Sequence, residues 1–116
     1  MRTRQATRKS GPDGAAALLG GLGLAARAGR LRVGFEAVRR SIRTGEARAV
    51  VIAGDAPRSV RRRLEGLLSD RGPAHRIVLD GDSLGEALGR PRVVAVAVTD
   101  GSLAQRVLEL AAQVEG

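Results

Sequence analysis

Two apolar runs, Ala49–Ala53 and Val93–Val98, set the terms on which this chain can fold. Neither alternates with polar residues, so a strand formed from either must be covered on both faces. Covering both faces calls for helices on each side, and the segments around the two runs carry helical spacing. The chain therefore reads as α/β, with helices on both faces of a small, mostly parallel sheet. Val93–Val98 is the longest β run and belongs at the sheet centre.

The other elements follow from spacing and punctuation. Asp13 caps a helix over 14–28 in which Leu18, Leu22 and Ala25 share one face, and Gly29 stops it. Leu31–Val33 reads as a short strand. A helix from Gly34 to Thr44 turns Phe35, Val38 and Ile42 inward and points Arg39, Arg40 and Arg43 elsewhere, with Gly45 at its end. Asp55 is expected to cap the next helix, with Pro57 in its first turn. Val60, Leu64, Leu67 and Leu68 make that helix's buried face, while Arg58, Arg61, Arg62 and Arg63 crowd its first half. Arg76–Leu79 is a strand. Ser83-x-x-Glu86 reads as the capping box of a short helix through Leu88, ended by Gly89. Ser102-x-x-Gln105 caps a last helix carrying Leu103, Val107, Leu110 and Val114. Residues 1–12 read as a disordered basic arm closed by a Gly-Pro breaker, and 13–116 as one domain without internal repeats.

Composition excludes much chemistry. The chain has 116 residues, about one domain, and a single Phe with no Trp or Tyr, so Val, Leu, Ile and Ala must build the core. Without Cys there is no disulfide framework, thiol nucleophile or cysteine metal site. No apolar run is long enough to span a bilayer, and Gly and Arg interrupt 15–28, where a signal peptide would need an unbroken core. A soluble cytoplasmic protein without a membrane role is expected. Gly21-Leu22-Gly23-Leu24-Ala25-Ala26 looks like the end of a dinucleotide fingerprint, but a helix precedes it where that motif needs a strand. His75 is the only histidine and has no second ligand or paired nucleophile. Asp80 and Asp82 flank Gly81, but two acids make a poor metal cage, and a solvated turn capped by Asp82 or Ser83 is the plainer reading. No Gly-Lys-Ser/Thr occurs. The expectation is a non-enzyme without metal or cofactor.

Charge points to a polyanion. The formal net charge is +8, and nineteen of the twenty basic residues are Arg. Residues 1–63 hold fifteen bases against four acids, a net of +11, while 64–116 carry a net of −3. Such asymmetry suits a phosphate backbone, whose neutralisation releases counterions. Ala and Gly are also abundant, so part of the arginine reads as a genome-wide bias toward GC-rich codons, and solubility is the bland explanation for the charge. The basic arm either adds phosphate contacts or is simply a loose terminus.

Several blocks together resemble a known family. They are Leu22-Gly23-Leu24-Ala25-Ala26-Arg27-Ala28-Gly29-Arg30-Leu31, then Val33-Gly34, then Ile42-x-x-Gly45-x-Ala47-x-x-Val50-Val51-Ile52-Ala53-x-Asp55-Ala56. Leu84-Gly85-x-Ala87-Leu88-Gly89 and Val94-Ala95-Val96-x-Val98-Thr99-Asp100 follow. In this order they resemble the ribosomal L-seven-Ae / L-thirty-e superfamily, most nearly its small bacterial YlxQ-type members, over roughly 18–110. The resemblance implies a three-layer α-β-α sandwich on a mostly parallel, mixed four-stranded sheet. It also implies binding to kink-turn RNA, a sharply bent element with sheared G·A pairs. The family's RNA-reading segment has Gly-Ala-Asn-Glu and then a Lys three residues on. Gly34 and Arg40 match its first and last positions, as helix start and phosphate or guanine contact. Glu36 and Ala37 replace the Asn and Glu that read base edges. Glu36 either keeps an acceptor one position early or forms an i,i+4 salt bridge with Arg40. The family's second RNA-facing loop corresponds to about Leu79–Ser83, where Asp80 and Asp82 add acid.

The expected RNA site is therefore the start of the 34–44 helix, whose free N–H groups and dipole favour phosphate. Arg32, Gly34, Glu36, Arg39, Arg40 and Arg43 belong to it, with Arg58 and Arg61 from the next helix start. Without exposed aromatics, RNA shape rather than base stacking would carry recognition. A protein–protein module of the same fold, using the acidic second half, is an alternative. An RNA-recruiting accessory domain acting in trans, like the N-terminal part of some RNA methyltransferases, is another. A monomer is expected.

Overall fold

The computed structural model of the protein describes residues 12–115. Its elements are α1 (Pro12–Arg27), β1 (Leu31–Val33), α2 (Phe35–Arg43), β2 (Ala49–Ile52) and α3 (Arg58–Arg71), then β3 (Ala74–Ile77), α4 (Gly81–Leu88), β4 (Ala95–Val98) and α5 (Gly101–Glu115). The expected disordered arm lies outside the described residues except for Pro12, which opens α1 instead of ending the arm.

The four strands stand in the order β1-β4-β2-β3. β4 and β2 are central, and all eight of their residues are buried. Their uninterrupted apolar runs had required a cover on each face, and it is present. The mostly parallel pairing is corrected: only β2–β3 is parallel, while β4 runs antiparallel to both β1 and β2. The connection after β3 explains this. The short α4 is stopped at Gly89, and the chain then doubles back, so that the Val93 N–H donates to the carbonyl of Gly81 at 3.0 Å. β4 consequently starts at the end of the sheet where β3 finished, which makes it antiparallel to its neighbours. β3 itself sits two residues earlier than expected, pairing Val50 with His75 and Ile52 with Ile77.

α1, α4 and α5 form one outer layer and α2 with α3 the other. Leu18, Leu22 and Ala25 of α1 are fully buried, as their spacing implied. In α5 the buried stripe is Ala104, Val107, Leu110 and Ala111, with Leu103 and Val114 at its margin. In α2, Val38 and Ile42 are buried with Ser41, whose hydroxyl donates to the Val38 carbonyl at 2.8 Å. Phe35 reaches only the rim of the core.

Four helix starts differ from expectation, the first being α1, which begins at Pro12 and holds Asp13 within the helix instead of at its cap. α4 is capped by Asp80, whose Oδ1 accepts from the Ser83 N–H at 2.8 Å, so neither Asp82 nor Ser83 is the cap. α5 is capped by Asp100, whose Oδ2 accepts from the Leu103 N–H at 2.9 Å, and Ser102 is already inside the helix. In each case an Asp three residues before the satisfied N–H does what the Ser-x-x-Glu/Gln pattern suggested for a later residue. α3 has Pro57 at its N-cap with no side-chain cap, and Asp55 points elsewhere.

Candidate nucleic-acid interface

β1, β2 and β3 run in one direction, so their carboxyl ends share a sheet edge with the amino end of β4. α2, α3 and α4 all begin at that edge. Ligands of open α/β sheets bind outside the carboxyl ends of strands for this reason. Backbone bonds knit the edge together. Gly34 N–H donates to the Ala95 carbonyl at 2.9 Å, Ala53 N–H to Val94 at 2.8 Å, and Gly54 N–H to Leu79 at 2.9 Å. Leu79 is held at φ 67°, an unusual conformation for a bulky residue.

A helix leaves its first N–H groups without intrahelical partners. α4 is well supplied: besides the Asp80 cap, Asp55 Oδ1 accepts from the Gly81 N–H at 2.9 Å. α2 and α3 are not supplied, because neither Gly34 nor Pro57 offers a side-chain cap. α3 has no acid in its first turn and places Arg58 there instead. A cation at the positive end of a helix dipole is unfavourable unless an anion sits with it.

The arginines divide by what they touch. Arg40 and Arg43 on α2, and Arg58 and Arg61 on α3, make no ion pair among the described residues. Arg39 is committed: its Nε and Nη2 both donate to Glu36 Oε1, at 3.1 and 2.7 Å. Glu36 thus pairs with Arg39 at i,i+3 and not with Arg40, which corrects the expected alternative. That hydrogen bond, together with the charges of Arg39, Arg63 and Arg40, lowers the Glu36 pKa below the ordinary carboxylate value. Arg32 leaves the predicted constellation. Its Nη2 bonds Glu46 Oε2 at 2.8 Å, and Glu46 follows the C-terminus of α2, about 13 Å along the helix from Gly34. Strand geometry explains the exclusion, since the Arg32 side chain leans back toward Gly29, whose carbonyl it also meets.

Two groups of residues were missed as site elements. Arg63 lies over the Phe35 ring, 5.3 Å from its centroid, and ties α3 to the first turn of α2. Asp55 and Arg92 form a clasp across the edge. Arg92 donates to Asp55 Oδ2 at 2.9 Å and to Asp82 Oδ1 at 3.1 Å. The Gly81 N–H first, and then Arg92, lowers the Asp55 pKa; Asp55 in turn raises that of Arg92. The acids of the Leu79–Ser83 loop are therefore engaged, Asp80 as a cap and Asp82 with Arg92. No local pattern pairs residues 55 and 92, which meet only because β4 is inserted beside β2. Among the described residues no cluster of His, Cys, Asp or Glu could hold a metal ion, and no helix is long and apolar enough to cross a membrane.

These features define a three-layer α-β-α domain with two open helix starts over the carboxyl ends of a mixed sheet. The chain belongs to the Ribosomal protein L7Ae/L30e/S12e/Gadd45 family, whose model matches residues 16–108. Among solved structures it is similar to one titled "The structure of a protein with unknown function from Bacillus halodurans C". That likeness has 27% identity and a TM-score of 0.78 over 82% of this chain and 96% of the other. It also shares the fold of the Giardia lamblia 15.5kD RNA binding protein, at 21% identity and a TM-score of 0.74 over 90% of each chain. No curated protein matches the chain.

Proposed function

We propose that this chain is a non-catalytic RNA-binding protein that receives a phosphate of structured RNA on the open start of α2. The observation that carries the reading is the contrast among helix starts at one sheet edge. The start of α4 is satisfied by aspartates, whereas those of α2 and α3 have no side-chain cap; α3 opens on Arg58 and Arg61, and α2 carries Glu36 in its first turn and Arg40 in its last, and these three arginines make no ion pair among the described residues. Bare N–H groups, a positive dipole and uncommitted guanidinium groups are what a phosphate needs. Family membership and the Giardia relative, described as RNA binding, support RNA as the polyanion.

A kink-turn is the finer proposal. Gly34 and Arg40 stand at the family's helix-start and cation positions. Ala37 has no polar group for a base edge, and the Glu36 carboxylate is held by Arg39. Phosphate contacts position the RNA in this reading, and base contacts add little. The test titrates a kink-turn RNA and a straight duplex of equal length across salt. Preference for the kinked RNA is expected, and equal affinities would leave a general basic binder. Arg40→Glu should weaken kink-turn binding and reduce the salt slope by about 1; unchanged affinity would place the site elsewhere.

A further inference from the structure

A second basic surface lies beside the sheet edge. Between α2 and α3 runs an open groove of about 290 Å³ lined by Arg39, Arg43, Arg62, Arg63, Gly66 and Leu67. Four of its six lining residues carry guanidinium groups and none is acidic. Arg39 and Arg43 are four apart and share one stripe of α2, while Arg40 stands about 100° round from Arg39 and about 60° from Arg43. Arg40 therefore does not line the groove but borders it on the side of Arg43.

The groove's residues are not explained by the fold. Arg39 and Arg63 are anchored, one by Glu36 and the other over Phe35. Arg43 and Arg62 are exposed and make no ion pair among the described residues. Bringing four like charges into one groove destabilises a fold by self-repulsion. Gly66, in the middle of α3, weakens the helix relative to alanine, and no atom lies within 4 Å of where its Cβ would stand. No packing constraint requires a glycine there. Its absent side chain instead leaves the floor of the groove low between the arginines.

We propose that this groove is a second binding site for the phosphodiester backbone of RNA. The proposal rests on the reading above for RNA as the polyanion, but it needs no kink. Guanidinium forks match phosphate oxygens two at a time, and those of Arg43 and Arg62 are the uncommitted ones, since the Arg39 fork is taken by Glu36 and Arg63 lies over Phe35. The only aromatic ring at hand, Phe35, is covered by Arg63, so the groove has no platform for a base. It therefore reads backbone and not sequence. Because the two surfaces adjoin along α2, one RNA can lay a kinked segment against Arg40 and its flanking helix along Arg43 and Arg62.

The test compares Arg43→Gln/Arg62→Gln with Arg40→Glu in the full chain, against a straight RNA duplex and a kink-turn RNA with a flanking duplex. For the straight duplex the double variant should lower the salt slope by about 1.8, near 0.9 for each lost phosphate contact. Arg40→Glu should act mainly on the kink-turn RNA. A straight duplex that the unaltered chain does not bind, or that the double variant binds with an unchanged slope, overturns the groove. Competition by poly-glutamate equal to that by duplex at matched charge also overturns it, in favour of an acidic protein partner. Loss of kink preference with the duplex effect intact would fail the kink-turn reading alone. Both substitutions are at exposed positions, and circular dichroism melts of each variant check that the fold is retained.

Discussion

At position 34 the backbone takes φ 98° and ψ 162°, a region nearly closed to any residue with a Cβ. The same residue donates to Ala95 in the sheet and accepts from the Val38 N–H as the first bond of α2. Gly34→Ala should therefore cost about 1–3 kcal/mol in urea unfolding, from backbone strain alone, since no atom would crowd the added methyl. A variant as stable as the parent would show that this corner relaxes without strain. Gly85 has a different requirement: a Cβ there would stand 2.6 Å from the Arg90 carbonyl, where the chain doubles back against α4. Gly34 was legible as a helix start, whereas Gly85 entered only within a family block, because its crowding comes from a return of the chain that no single residue announces. Arg32 was misplaced for a similar reason. Its neighbours in sequence belong to the α2 start, but the side chain follows the strand to Glu46, a partner fourteen residues away.

The elements themselves were legible wherever one face repeated. Leu18, Leu22 and Ala25, or Val38 and Ile42, needed only the helical period, and β2 and β4 only an unbroken apolar run. Helix starts were harder, because Asp80 and Ser83, or Asp100 and Ser102, offer competing cap patterns a few residues apart. The direction of β4 was missed although the shortness of α4 was legible, because the return that brings Val93 back against Gly81 has no local signature. That direction creates the Asp55–Arg92 clasp, which joins the loop after β2 to the start of α4 and to the return before β4. The Gly81 N–H and Arg92 lower the Asp55 pKa in the folded chain. A lowered carboxylate contributes stability above its ordinary value of about 3.9 and loses it as pH falls through the folded value. Asp55→Asn should be less stable than the parent at pH 7, and the gap should close as pH falls below about 4. Parallel denaturant melts across that range measure it, and a gap that persists in acid would mean that the charge is not its source.

Over the whole molecule, charge separates the requirements of folding from those of binding. The first 63 residues carry a net +11 and the remainder −3, so attraction between the halves offsets only part of the repulsion within the first. That repulsion is concentrated where α2 and α3 meet: Arg39, Arg43, Arg62 and Arg63 line one groove, with Arg40, Arg58 and Arg61 nearby on the same two helices. Salt shortens the reach of such repulsion, from a Debye length of about 30 Å at 0.01 M to about 10 Å at 0.1 M. The same ions compete with the protein for RNA, because counterion release weakens as salt rises. The two properties should therefore respond to sodium chloride with opposite signs. The melting temperature of the free chain should climb between 0.01 and about 0.3 M, while its affinity for RNA falls. The Arg43→Gln/Arg62→Gln variant should start with a higher melting temperature at low salt and gain less from added salt. A free chain whose melting temperature fell steadily with salt would mean that ion pairs such as Arg92–Asp55 and Arg32–Glu46 outweigh the groove's repulsion. The arginine cluster would then carry no stability cost, and the case for reading it as a surface kept for a polyanion would weaken accordingly.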